Sequence, residues 1–292
     1  MKPLLILSLC LNIFLLLLVG RQQAETFINL TNAQEMTTTT ALIPPSVEET
    51  LGIASSATQS ATLRIPILMY HYVEHIQDPN DTFRELMNIH PEVFEAQVKT
   101  LKEAGYTFLT MREVGEILDG KRTLPHKPIV LTFDDGYRDF LTDALPILQK
   151  YTAKSTVYVI AAFTGTEPDH MTQVQLEEVI QTGLVEIGAH TKTHTYLAGN
   201  TPEEVSKEII GSKKMLEFML NIPIVSFAYP FGAFDEQAVE ITKNAGFSTA
   251  VTTQPGIYAQ HANRYVLDRL RPGHRTGEEL TNYLEGTTFE EY

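Results

Sequence analysis

Two short strings place reactive side chains directly behind apolar, strand-like runs. The string TFDDG contains Asp134 and Asp135, and the string HTKTH begins with His190 and ends with His194. Histidines four positions apart can reach one ion, and with Asp135 they form a two-histidine, one-carboxylate set that leaves coordination positions open. An ion with open positions can activate water and polarise a carbonyl group. The strings therefore predict a hydrolytic metal site, with Asp134 as the neighbouring general base.

Composition limits the class of protein and its partners. The chain has 292 residues, of which 43% are hydrophobic, so it can bury a sizeable core in one large domain. Its net charge is −14, which disfavours nucleic acid as a partner because like charges repel. The only cysteine, Cys10, lies in an N-terminal apolar run, so a metal in the folded domain must be held by nitrogen and oxygen.

The N-terminal region is typical of an exported chain. Residues 4–19 are almost wholly apolar and follow Lys2, so residues 1–20 are predicted to be a signal peptide or a membrane anchor. Residues 21–62 are rich in Thr, Ser, Ala and Gln and predict a flexible linker. We expect the protein to be anchored on the outer face of the cell membrane through this segment only, or to be secreted.

Residues 63–292 predict an α/β domain. Short apolar runs alternate with segments of helical period, which favours βα units around a mostly parallel sheet. The predicted strands are 65–70, 108–109, 128–133, 155–160, 184–188, 225–229 and 248–252, with a last strand and helix within 265–284. The predicted helices are 91–104, 111–118, 137–151, 173–181, 201–220 and 235–245. Roughly seven such units predict a distorted (β/α)7-type barrel, in which the loops after the strands converge on one face.

Three motifs resemble those of a known family. TFDDG, HTKTH and the FAYPFG segment at 227–232 resemble the first three motifs of the polysaccharide deacetylases, carbohydrate esterase family 4, which have the NodB-homology fold. The resemblance extends from about Leu63 to the C-terminus and identifies 63–292 as the catalytic domain. Segments 67–71, 94–106 and 252–256 look like the branch that acts on exported poly-N-acetylglucosamine.

The resemblance implies a role for several residues. Asp134 would be the general base, and the metal ligands would be Asp135, His190 and His194. The backbone N–H of Tyr229 would help to stabilise the oxyanion. The implied activity is removal of N-acetyl groups from an N-acetylated polysaccharide, and we expect a monomer. Zinc suits the mixed nitrogen and oxygen ligands best, although cobalt, nickel or iron would also fit.

The sequence departs from the family pattern at two catalytic positions. Many members have an arginine at the position of Ala228, where it orients the base. Arg269 or Arg271, on the last predicted strand, could take this role, and Arg269 is the candidate catalytic residue; alternatively, both arginines could simply cap one end of the barrel. His274 is the candidate acid that protonates the leaving amine, but its RPGHR setting is also typical of a surface loop.

Other residues are predicted to contact substrate or to pack around the site. His71, Pro230 and Phe231 are predicted substrate-binding residues, with a structural role for His71 as the alternative. Aromatic residues at strand ends can stack on sugars or simply pack, as is the case for Tyr70, Tyr72 and Phe234. The remaining histidines are predicted to lie on the surface: His75, His90, His126, His170 and His261.

Rival functions remain open at this stage. The same site could deacetylate peptidoglycan or chitin, or cleave O-acetyl esters, because only the substrate groove would differ. A different class of function is a non-catalytic glycan-binding protein with a relic metal site, which the missing arginine slightly favours. A purely structural zinc site is disfavoured because such sites usually have four protein ligands and only three are found.

Overall fold

The computed structural model describes residues 61–76, 78 and 80–286. The predicted N-terminal segment, 1–20, and all of the predicted linker, 21–62, except its last two residues lie outside the described residues. None of the described helices is both long enough and apolar enough to cross a membrane.

Seven parallel strands form the main sheet. The strands in the described residues are β1 (Leu63–Arg64), β2 (Ile67–Tyr70), β3 (Tyr72–Val73), β4 (Asn88–Ile89), β5 (Thr107–Leu109), β6 (Pro128–Phe133), β7 (Ser155–Val159), β8 (Val185–Ala189), β9 (Ser226–Ala228), β10 (Thr249–Val251) and β11 (Tyr258–Ala259). The order in the main sheet is β10-β9-β8-β7-β6-β2, and β5 pairs with the first half of β6. Every residue of β6, β7 and β8 is buried, as expected for strands covered on both faces.

Helices begin where their capping residues predict. The helices are α1 (Thr82–Met87), α2 (Pro91–Glu103), α3 (Met111–Leu118), α4 (Leu145–Tyr151), α5 (Gln173–Gln181), α6 (Pro202–Leu220), α7 (Glu236–Asn244) and α8 (Gly277–Gly286). Thr110, Thr172 and Thr201 each form a reciprocal capping box with the residue three positions later. Each cap stabilises its helix by about 1 kcal/mol and so helps to fix where the preceding loop ends.

Residues 267–270 close the sheet between its two ends. Leu270 exchanges backbone hydrogen bonds of 2.8 and 2.9 Å with β2, and Leu267 exchanges bonds of 2.9 and 2.8 Å with the β10 end. The predicted last strand thus occupies the closing position, but it consists of single parallel bridges because it meets one neighbour at Leu267 and the other at Leu270. The predicted (β/α) barrel fold is confirmed.

Some elements differ from their prediction. The helix predicted from residue 137 begins with a π-helical turn, Phe140–Ala144, before α4. Pro146 explains the widened turn, because it lacks an N–H group and its ring disturbs the preceding helical turn. The short antiparallel pair β1–β11 and the parallel pair β3–β4 were not predicted, since two-residue strands carry no periodic signal.

A hydrophobic core fills the space between the sheet and the helices around it. Tyr70, Phe94, Phe133 and Phe140 form an aromatic cluster with ring centroids 4.9 to 5.6 Å apart. The Tyr70 hydroxyl donates to Gln97 at 2.9 Å. Of the two roles predicted for Tyr70, the structure therefore shows packing.

Candidate active site

The carboxyl ends of three parallel strands deliver the predicted site residues to one edge of the barrel. Asp134 and Asp135 follow β6, His190 follows β8, and Tyr229 follows β9. Several residues here adopt the left-handed conformation although they are not glycine: Asp135 (φ 73°), Thr191 (φ 59°), His194 (φ 60°) and Phe231 (φ 60°). Such conformations cost on the order of 1 kcal/mol each and persist only where packing and hydrogen bonds impose them.

Asp135, His190 and His194 come together as predicted. The Asp135 Oδ1 atom lies 3.4 Å from His190 Nε2 and 3.3 Å from His194 Nε2. His190 Nδ1 donates to the Ala228 carbonyl at 2.8 Å, which leaves the Nε2 lone pair directed at the site. Asp135 Oδ1 is buried and has no hydrogen-bond partner among the described residues. A buried acceptor without a donor is costly, and a divalent cation between these atoms would satisfy it.

The protonation of the two histidines differs because they share one carboxylate. Burial disfavours charge on His190, but the close contact with the Asp135 carboxylate and the negative charge of Asp134 outweigh burial and raise its pKa. Burial and repulsion from His190 lower the pKa of His194 to about 4. His194 is therefore neutral near neutral pH, and a cation bound at this site would oppose protonation of both histidines.

Asp134 forms a buried, bidentate ion pair with Arg269. The two guanidinium Nη atoms donate to Asp134 Oδ1 and Oδ2, each at 2.7 Å, and Arg269 Nε donates to the Thr252 carbonyl at 2.7 Å. Burial raises the pKa of Asp134, but the charge and hydrogen bonds of Arg269 outweigh burial and hold the pKa well below its usual range. The contact that orients Asp134 is thus made by Arg269 and not by Arg271, which is exposed.

The structure does not bring two of the candidate catalytic groups into position. The Tyr229 N–H donates to the Val251 carbonyl at 3.2 Å within the sheet, so an oxyanion would have to compete for it. The Tyr229 ring is buried against Phe227 and Phe234. His274 is exposed and does not line the pocket that contains Asp134.

A cavity of about 420 Å³ opens above these residues. Tyr72 and Tyr137 stack on one wall with ring centroids 4.0 Å apart. Phe231, 60% exposed, lies on another wall with its ring centroid 4.6 Å from that of His194. Phe83 and Met87 of α1 also line the cavity. Sequence reasoning missed Tyr137, Phe83 and Met87, although Tyr137 directly follows the TFDDG string.

Of the other two predicted substrate-binding residues, one lines the cavity and the other supports its wall. His71 lines the cavity, and its Nε2 atom lies 3.9 Å from Asp134 Oδ2. Burial lowers the pKa of His71 despite the nearby aspartates. Pro230 is buried and does not line the cavity; it starts the turn that exposes Phe231.

One histidine predicted to lie on the surface is buried. His170 is 8% exposed and packs against Tyr137 and Phe163, with ring centroids 4.7 and 5.1 Å away. An isolated antiparallel bridge between Tyr137 and His170 holds it behind the cavity wall, a contact with no periodic signal in the sequence. His75, His90 and His126 are exposed as predicted, and His261 is half-buried.

Glu208 of α6 supports the loop that joins the candidate metal ligands His190 and His194. Its carboxylate accepts from the backbone N–H groups of Lys192 and Thr193 at 3.0 and 2.8 Å and from the Thr193 hydroxyl at 2.8 Å. These bonds fix the backbone that carries His194. Nothing in the spacing of the sequence singles out Glu208, because the contact depends on how α6 packs beside the loop.

Comparisons with known proteins agree with this arrangement. A family model described as polysaccharide deacetylase matches residues 121–250. The Bacillus subtilis (strain 168) protein YxkH, named as a polysaccharide deacetylase, is 34% identical over 224 residues, 76% of each chain. A Staphylococcus aureus (strain MRSA252) poly-beta-1,6-N-acetyl-D-glucosamine N-deacetylase is 26% identical over 66% of this chain and 70% of its own. The structure of Streptococcus pyogenes deacetylase PplD in complex with acetate superposes with a TM-score of 0.69 and 32% identity, covering 77% of this chain and 98% of that chain.

Proposed function

The chain belongs to the polysaccharide deacetylase family, and from this premise we propose that it hydrolyses N-acetyl groups of an extracytoplasmic N-acetylglucosamine polysaccharide with a bound divalent cation. The observation that carries the proposal is a candidate metal site that lies beside an ionised aspartate. Asp135, His190 and His194 offer a ligand set with open positions, and beside them Arg269 holds Asp134 ionised. A non-catalytic protein with a relic metal site was favoured by the missing arginine at position 228. Arg269 weakens that alternative, because it makes the contact that orients Asp134 from a different segment of the chain.

The reaction can be assigned to residues of this chain. A bound cation, for which zinc is the best match, would supply Lewis-acid activation of water and of the amide carbonyl. Asp134 accepts the proton of the attacking water, and the bidentate contact of Arg269 orients the carboxylate. Because its pKa is depressed, protonated Asp134 readily passes this proton on to the departing sugar nitrogen.

The walls of the cavity support a sugar polymer as substrate. Phe231 and the stacked Tyr72 and Tyr137 offer flat apolar faces, which pack well against the faces of sugar rings. The Staphylococcus aureus relatives are named as poly-beta-1,6-N-acetyl-D-glucosamine N-deacetylases. We therefore propose that β-1,6-linked poly-N-acetylglucosamine is the first substrate to test. Chitin oligomers, peptidoglycan and O-acetylated glycans are the competing substrates.

The test is acetate release by the zinc-loaded, full-length chain from each of these glycans, with and without chelator. We expect the fastest release from poly-N-acetylglucosamine, loss of activity with chelator, and recovery when zinc is added back. Faster release from an O-acetylated glycan would favour the esterase alternative. Absence of metal-dependent release from every acetylated glycan would reject the catalytic proposal.

Asp134→Asn separates the roles of the two adjacent carboxylates. We expect turnover to fall roughly 10³-fold, because the base is lost, while the zinc content per chain stays the same. Asp143→Asn is the matched control, since Asp143 follows in the same segment and does not line the cavity. Loss of zinc from Asp134→Asn would show that Asp134 is a metal ligand rather than a base.

The proposed location rests on the N-terminal sequence. Residues 1–20 have the composition of an export signal or anchor, and an enzyme acting on an extracytoplasmic polysaccharide needs such a segment. Fractionation of intact cells, with protease added outside, tests this proposal. Protein that stays in the cytosolic fraction and is protected from protease would contradict it.

A further inference from the structure

A second group of potential metal ligands lies on the surface, outside the catalytic set. His75 follows β3, His90 precedes α2, and Glu92 is in the first turn of α2. His75 Nε2 lies 3.1 Å from Glu92 Oε1, and the rings of His75 and His90 are 5.3 Å apart at an interplanar angle of 89°. One ligand atom from each of the three residues lies within 4.8 Å of the other two.

This group has the same composition and nearly the same spacing as the catalytic trio. Both contain two imidazoles and one carboxylate. The ring centroids of His190 and His194 are 5.0 Å apart, against 5.3 Å for His75 and His90. The shortest contact between histidine nitrogen and carboxylate oxygen is 3.3 Å in the catalytic trio and 3.1 Å here. The surface group therefore presents an equivalent set of donors in a more exposed setting.

The backbone that carries these ligands is held in place before any ion binds. β3 and β4 pair in parallel, so the residues that precede the two histidines lie side by side. The Asn88 side chain accepts from the Glu74 N–H at 3.1 Å and donates to the Glu74 carbonyl at 3.0 Å. Val73 and Ile89 are buried in the core. Little ordering is thus needed on binding, which favours affinity.

We propose that His75, His90 and Glu92 form a second binding site for a divalent transition-metal ion. Two imidazoles and one carboxylate suit Zn²⁺, and Ni²⁺, Co²⁺ or Cu²⁺ by the same ligand chemistry, with water completing the coordination. The partial positive charge at the start of α2 opposes a cation, but Glu92 in the first turn offsets it. The three residues share no atom with the catalytic set.

An ion bound at this site would stabilise one wall of the catalytic cavity. The segment between His75 and His90 includes Phe83 and Met87, which line that cavity. Helix α2 is anchored in the core through Phe94 and Val98. An ion that joins His75 to the start of α2 would add a further link between the two ends of the intervening segment, beside the β3–β4 pairing.

The first experiment counts zinc ions bound per chain at equilibrium, using full-length protein dialysed against micromolar free Zn²⁺. We expect two ions in the wild-type chain, one in His190→Ala, one in His75→Ala and none in the double variant. Glu92→Gln is a second variant that should also lose the surface ion. Because Glu92 is exposed, this loss could not be explained by misfolding. His126→Ala is the matched control, since this exposed histidine belongs to neither group, and it should retain both ions.

The second experiment measures thermal stability and does not depend on activity. In the His190→Ala background, zinc should raise the unfolding temperature, because an ion that binds only the folded chain stabilises it. Adding His75→Ala or Glu92→Gln should abolish that rise. The proposal is overturned if His190→Ala binds no zinc at micromolar concentration, or if its remaining ion survives both surface substitutions. Neither result depends on whether the catalytic site hydrolyses a glycan.

Discussion

Arg269 combines electrostatic and geometric roles in one side chain. Its guanidinium lies beneath Asp134, with further contacts to the Thr252 carbonyl and the Thr132 hydroxyl. The carboxylate is 3% exposed and the arginine 1%, so each charge depends on the other for compensation. A single residue thereby sets both the orientation and the ionisation of the proposed base.

Arg269→Lys is expected to lower kcat/KM roughly 100-fold, because an ammonium cannot reproduce the bidentate contact and the base is misplaced. The pKa of Asp134 should rise, so the base becomes protonated at higher pH and the acidic limb of the pH–rate profile moves upward. The profile of kcat/KM against pH measures this shift.

Arg275→Lys is the control for that experiment, since its guanidinium packs on Tyr283 instead of Asp134. An acidic limb that does not move in Arg269→Lys would contradict the proposed role.

Arg269→Met leaves a buried carboxylate unpaired and should cost about 3–5 kcal/mol in the free energy of unfolding.

The sequence could predict the ligands and Arg269 as the candidate partner of the base, but it held no physical reason to prefer Arg269 over Arg271. TFDDG and HTKTH each follow a recognisable strand, so convergence at one barrel edge was predictable for Asp135, His190 and His194. Arg269 and Arg271 are two positions apart, and alternation in a strand places both on the same side. Burial distinguishes them: Arg269 is 1% exposed and contacts Asp134, whereas Arg271 is exposed and lines the cavity.

At the scale of elements, α6 supports the loop that carries a proposed metal ligand. The loop between His190 and His194 contains two left-handed residues, and its backbone is held by Glu208 from the second turn of α6. The helix at 201–220 and the HTKTH loop were both predictable from the sequence, but this contact was not. Contacts between elements depend on packing angles, which local patterns do not encode.

Glu208→Ala is expected to weaken zinc affinity about 10- to 100-fold, as is typical when a group that orients a ligand is lost. Three hydrogen bonds to the loop disappear, so His194 samples other positions. Competition with a chelator of known affinity measures the change. Glu203→Ala on the same helix is the control, because Glu203 contacts only the exposed Lys207 among the described ion pairs. Unchanged affinity in Glu208→Ala would show that the loop holds its shape without this support.

At the scale of the whole molecule, stability depends on a buried acid outside the catalytic set. Asp139 accepts from the Val73 N–H, and burial raises its pKa to about 7. The folded state therefore keeps a proton that the unfolded chain releases near pH 4. Because the folded state binds more protons, its stability falls as the pH rises from about 4 to 7.

Asp139→Asn should remove this pH dependence while keeping an oxygen acceptor for Val73. Relative to the variant, the wild-type chain should lose stability on the order of 4 kcal/mol between pH 4 and pH 8. Denaturant unfolding at a series of pH values, with chelator present in both samples, measures the difference. The comparison at pH 4 is the internal control, since both side chains are neutral there. Parallel curves for the two proteins would contradict the raised pKa.

The closing segment also determines when the molecule can become active during synthesis. Residues 267–270 complete the barrel between β2 and β10, and the same stretch supplies the counter-charge of Asp134. A ribosome-bound chain that has not yet released residue 270 has two unpaired sheet edges and a buried carboxylate without its partner. Until then those edges can pair with other chains, and Asp134 gains its counter-charge only after Arg269 has emerged.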